Sequence, residues 1–154
     1  MKQRIKKQNQ ALIYRELRDG YYRDRERLEE QGMQSPRYGV MDHPDGYARV
    51  TGKHDETIEI FLRIQNRIIT EARFTAGRCL VTRAVCSAAV EWVTGKAIND
   101  AMRIDGESVS DRLGNVPRGH EHCIDRAVTA IRKALKNRCT ENGKVPCRET
   151  MSVQ

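Results

Sequence analysis

Aromatic side chains make up 5% of the 154 residues, with only two Phe and one Trp among them. That scarcity argues against a row of stacking rings, interleaved with basic residues, of the kind that holds single-stranded nucleic acid. Long apolar runs are also missing. Nothing in the chain approaches the roughly 18 residues that a transmembrane helix needs. The basic start MKQRIKK is followed by QNQALIYRELRDG, where a secretion leader would need a continuous apolar segment, so a cytoplasmic protein is expected. Cysteine is present but odd in number, five in all, which fits a disulfide framework poorly. In a reducing compartment such thiols serve metal binding, thiol chemistry or packing.

Charge is plentiful, 32% of residues with a net +7, and the 38% hydrophobic fraction suffices for one domain with one core. The basic residues gather at Lys2, Arg4, Lys6 and Lys7 and again at Arg132, Lys133, Lys136 and Arg138. They read as a solvated surface that could face an acidic partner, and no nucleic-acid interface is expected of them.

The most informative stretch runs from Arg67 to Lys96. Ile68, Thr70, Ala72 and Phe74 alternate with Ile69, Glu71 and Arg73, the period of a half-buried strand. Beyond Cys79, Val81, Val85, Ala88 and Trp92 fall on one helical face, with Gly95 as the stop. Cys79 therefore stands at a helix start, where unpaired N–H groups and the macrodipole favour thiolate. His122 and Cys123 open a second helix with the apolar face Ile124, Val128, Ile131 and Leu135. Two cysteines at two helix starts, one beside an imidazole, can converge on one site. Cys86 sits about 10 Å along the helix axis from Cys79, so packing is expected of it.

Upstream, residues 5–19 carry a helical pattern and YYRDRERLEEQG a solvated one, together an N-terminal helical extension over 1–35. Pro36, Gly39, Pro44 and Gly46 punctuate a loop. Tyr47–Thr51 and Thr57–Gln65 read as strands around a turn at Gly52–Glu56, and Asn66 supplies a tight left-handed hairpin into the third strand. Ile58, Ile60, Leu62 and Ile64 alternate with Glu59, Phe61, Arg63 and Gln65 in the second strand. The expected fold class is α+β, a three-stranded antiparallel sheet with helices packed on one face. Short helices are expected near Ala97–Arg103 and Ser108–Leu113, and a weakly ordered tail over 138–154.

The block DGYARVTGKHDETIEIFLRIQNRIITEARFTAGRCLVTRAVCSAAVEWVTGKAINDAM, followed by HCIDRAVTAIRKAL, resembles the IscU-type (NifU N-terminal-like) iron–sulfur cluster assembly scaffolds. The resemblance covers residues 36–137 and is most specific at the strand–Cys79–helix block ending EWVTGK and at His122-Cys123. It implies a non-enzymatic α+β scaffold. Such a scaffold builds a [2Fe–2S] cluster on three cysteines with a carboxylate and a histidine, and takes its sulfur from a pyridoxal-phosphate cysteine desulfurase. Cys79 corresponds to the middle cysteine, Cys123 to the last, which accepts the persulfide, and His122 to the histidine beside it.

Three departures stand out. His54-Asp55-Glu56 occupies the place of the family's Cys-Gly-Asp, so His54 stands for the first thiolate and Glu56 for the aspartate. Leu80 replaces the glycine after the middle cysteine. Val116-Pro117-Arg118-Gly119-His120 replaces the Leu-Pro-Pro-Val-Lys by which relatives engage an Hsp70-type chaperone, so that contact is not expected. The implied ligand set is Cys79, His122 and Cys123, completed by His54 or Glu56, holding iron or a transient cluster, with zinc as the metal on isolation. Apo iron–sulfur proteins would receive the cargo. His54 reads equally as an exposed turn residue, His120 as a solvated loop residue, and Cys139 and Cys147 as exposed thiols. The competing assignment is a zinc-holding or metal-free interaction module that docks an acidic partner or nucleic acid.

Overall fold

The computed structural model describes residues 35–53, 56–114, 116 and 119–138. The expected N-terminal extension, except Ser35, and the expected tail, except Arg138, lie outside the described residues, as do His54, Asp55, Pro117 and Arg118. Strands β1 (Gly46–Thr51), β2 (Thr57–Gln65) and β3 (Ile68–Thr75) form one antiparallel sheet in that order. Pairing runs from Gly46↔Leu62 to Thr51↔Thr57 on one side of β2 and from Glu59↔Thr75 to Gln65↔Ile68 on the other. The β2–β3 turn uses Asn66 and also Arg67, at φ 51° and 64°. Two successive left-handed residues match the right-handed twist of the strands they join.

Ile58, Ile60 and Leu62 are buried on the helical side, as their alternation requires. In β3 the alternation is broken. Arg63 pairs with Glu71 and Ile64 with Ile69, so Thr70 is an extra residue in the ladder, a β-bulge. Ile69, Ala72 and Phe74 therefore point inward, and Ile68, expected on the face of Ala72 and Phe74, is 38% exposed. The opposite sheet face is not purely polar either, because Phe61 is buried there with Tyr47 and Met41, the latter from the preceding loop. The Tyr47 and Phe61 rings lie 5.2 Å apart.

Helix α1 (Leu80–Val93) follows β3 directly. It buries Thr82, every residue from Ala84 to Val90, and Val93, whereas Val81 and Trp92 of the expected apolar stripe are only partly covered. Its small side chains reflect three neighbours rather than one: β3, α3 (Gly106–Leu113) and α4 (Glu121–Lys136) all pack on it. Gly95, at φ 85°, ends the helix and donates to Ile69 O at 2.7 Å. The chain then runs beside β3, with Ile69 N to Lys96 O at 2.9 Å and Ile98 N to Arg67 O at 3.0 Å. At the other end of β3, Phe74 N donates to Arg37 O at 3.1 Å and Gly39 N to Phe74 O at 2.8 Å. A single turn, α2 (Ile98–Ala101), leads to α3, whose N-cap Asp105 accepts from Ser108 N at 2.8 Å.

Helix α4 buries Ile124, Val128, Ile131 and Leu135 as expected, and lies across β1, β2 and α1. No helix among the described residues is long and apolar enough to cross a membrane. The approach of α4 to β1 depends on Gly46, where a Cβ would stand 2.7 Å from the backbone carbonyl of Ala134. Gly46→Ala is expected to destabilise the protein by about 1–3 kcal/mol, since neither backbone can yield freely. Urea unfolding checks this, and a loss below about 0.5 kcal/mol, the scale of an indifferent surface change, would contradict it.

Candidate functional site

The site lies where the starts of α1 and α4 meet. Strand β3 ends at Thr75, and after Ala76, Gly77 and Arg78 the chain enters α1 with Cys79 as its N-cap in extended conformation. Arg83 pins this turn, since its Nε donates to Gly77 O at 2.8 Å and its guanidinium lies 4.7 Å over the Tyr38 ring. Cys79 is partly exposed.

Cys123 is the third residue of α4 and fully buried. Thr82, the third residue of α1, donates its hydroxyl to Cys123 Sγ at 3.4 Å. The two helix starts expected to converge therefore do so. Burial works against the bias towards thiolate that a helix start gives Cys123. Loss of solvent pushes the Cys123 thiol up, the Thr82 hydrogen bond opposes this, nearby Cys79 and Glu56 raise it further, and Arg126 lowers it. A helix start favours thiolate only where solvent or fixed donors replace the lost hydration. Cys86 lies in the core as expected, and burial raises its thiol strongly.

His122 is exposed, with Nε2 3.6 Å from Cys123 Sγ. Its ring stacks beside that of His120 at 6.2 Å between centroids. His120 is half-buried rather than solvated, and its buried Nδ1 has no hydrogen-bond partner among the described residues. A second imidazole thus adjoins the site with an unused donor atom.

Glu56 starts the return into β2. Gly52 N donates to Glu56 O at 2.8 Å, which closes the β1–β2 turn around the position of His54, itself outside the described residues. The Glu56 carboxylate accepts from Arg126 Nη1 at 2.6 Å. Arg126 and Gly52 are positions in contact with Glu56 whose part in its surroundings the residue pattern alone did not reveal. A signal for Arg126 existed, because Arg126 stands three residues after Cys123, a spacing that places it on the same flank of α4. Gly52 gave none.

The structure thus brings His122 Nε2 within 3.6 Å of Cys123 Sγ, with Cys79 and Glu56 near enough for their charges to act on the Cys123 thiol. Two thiols, an imidazole and a carboxylate are the donor types that suit zinc or iron. Among the described residues, no group of three or more His, Cys, Asp or Glu side chains is already gathered as a metal cage. Glu56 is instead tied to Arg126.

Comparison with known proteins gives concordant matches. The sequence model described as NifU-like N terminal domain matches residues 33–144. An iron–sulfur cluster assembly scaffold protein IscU of Archaeoglobus fulgidus is 29% identical over 115 residues, 73% of this chain and 75% of that protein. An iron–sulfur cluster assembly protein IscU of Plasmodium falciparum is 35% identical over 82 residues, 53% of this chain and 50% of that protein. Among solved structures, a NifU-like N-terminal protein from Brucella abortus superposes with a TM-score of 0.55 at 18% identity, covering 71% of this chain and 90% of that one. A putative iron–sulfur cluster assembly scaffold for the SUF system from Fervidobacterium islandicum gives 0.59 at 13% identity, covering 71% and 94%. At such identities the two structures establish a shared α+β fold.

Proposed function

The chain belongs to the NifU-like N terminal domain family, and from that premise we propose that it is an iron–sulfur cluster assembly scaffold, a carrier rather than an enzyme, acting in the cytoplasm. The observation that carries the reading is the junction of the two helix starts, with Cys79 as one N-cap and Cys123 hydrogen-bonded across to Thr82. Cys79, Cys123 and His122 are its donors, with Glu56 or His54 completing the set where relatives use thiolate and aspartate. The same set of sulfur, nitrogen and oxygen donors would hold zinc as the metal on isolation. Iron and the assembled [2Fe–2S] unit are its cargo, destined for apo iron–sulfur proteins.

Sulfur would come from a pyridoxal-phosphate cysteine desulfurase. The Cys123 thiolate attacks the outer sulfur of the desulfurase persulfide, a new S–S bond forms on Cys123, and the desulfurase cysteine leaves as thiolate. Because Cys123 is buried, this exchange needs the start of α4 to lift from Thr82. After incubation with a desulfurase and its cysteine substrate, peptide mass spectrometry is expected to place the extra sulfur on Cys123, with Cys86 unmodified. Sulfur on Cys86 with Cys123 bare would overturn the assignment.

A further inference from the structure

The guanidinium of Arg126 has a built seat. Its side chain is 14% exposed, Nη1 is 2.6 Å from Glu56 Oε2, and a methyl group at Gly52 would overlap it. Arg126 springs from α4 one turn beyond Cys123, while Gly52 and Glu56 bound the β1–β2 turn. One side chain therefore joins the turn carrying the carboxylate to the helix carrying the buried thiol.

Resting on the reading above, we propose that Arg126 is a positioning residue that gates the site: it holds the Glu56 carboxylate, and a metal ion must displace it to take that carboxylate. Glu56 Oε2 already accepts from the guanidinium at 2.6 Å, so the carboxylate is not free to turn to a metal. A divalent ion placed on the same carboxylate would meet a fixed positive charge across it, in a half-buried setting where like charges are poorly screened. The clip thereby sets how readily the site fills and empties. That suits a protein whose cargo must leave again.

The sign of the effect separates gating from support. An arginine that merely braces the turn would, on removal, loosen the ligands and weaken metal binding. A gate, once removed, tightens it. Cobalt(II) titration of the full chain, read by thiolate-to-cobalt absorption, is expected to give a dissociation constant about tenfold lower for Arg126→Gln, the scale on which outer partners move metal affinity. Gly52→Ala keeps the arginine but fills its seat, and is expected to tighten binding likewise. Arg126→Lys restores the charge and should return affinity towards wild type. In Arg126→Gln/Glu56→Gln the gain should vanish.

Unchanged or weaker cobalt binding in Arg126→Gln, or a gain that survives loss of Glu56, would overturn the gate. Absence of cobalt binding from both wild type and Arg126→Gln would overturn it too. The scaffold reading fails separately, if Cys79→Ala/Cys123→Ala still binds cobalt as wild type does. In metal-free protein, urea unfolding of Arg126→Gln, Glu56→Gln and the double variant should be non-additive, because the clip exists without metal; additivity would refute it.

Discussion

Replacing Cys79 and Cys123 together by alanine is expected to lower the affinity for zinc or cobalt by at least about a hundredfold, beyond what the loss of an outer partner costs. Each thiol sits at one of two helix starts that meet through Thr82, so the pair is the core of the proposed donor set. His122 is exposed and Glu56 is held by Arg126. Metal analysis of purified protein and cobalt titration check this, with thermal unfolding to show that the variant folds. Cys123→Ala also strands the buried Thr82 hydroxyl at a cost of about 1–3 kcal/mol, so the comparison belongs well below the melting temperature. Wild-type metal content in the double variant would remove the basis of the site.

The largest effect on stability is expected at Phe74. Its ring is fully buried, among the largest side chains of the core, and stands edge-on to Tyr38 at 5.5 Å. Phe74→Ala should cost about 3–5 kcal/mol, through lost burial and an unfilled cavity. Its backbone also bonds to Arg37 and Gly39, so the loss reaches the loop that ties Ser35 Oγ to Ser87 Oγ at 2.8 Å. Urea unfolding measures the change, and a loss under about 1 kcal/mol would mean that the core closes over the gap.

Much of this architecture was legible in the sequence because it is written in local signals. Asn66 marked the hairpin, Gly95 the end of α1, and the β2 isoleucines the inward face. The bulge at Thr70 was not legible, since Ile68 and Ile69 are equally apolar and nothing between them says which one faces the core. The stripe Val81, Val85, Ala88 and Trp92 misjudged α1 because large residues mark a helix with one neighbour, and this helix has several. At the site, the residue types were legible and their surroundings were not. The Cys123 sulfur accepts from a threonine 41 positions away, and the carboxylate of Glu56 is taken by an arginine 70 positions away. Such contacts follow from the packed fold alone.

The segments that bond to the two ends of β3 have a consequence for how the molecule meets others. A sheet edge with free amides and carbonyls is a template onto which a foreign strand can add, the first step of aggregation and of swapped dimers. Here Arg37–Gly39 occupies the edge at Phe74, and Gly95–Ile98 occupies it at Arg67 and Ile69. Between them Glu71 pairs with Arg73 at 2.7 Å and with Arg63 at 3.7 Å, so the short length left open presents charge. An incoming strand would find too few consecutive backbone partners there to hold. A transient visitor on this side must therefore recognise side chains rather than backbone, and can depart without unzipping a ladder.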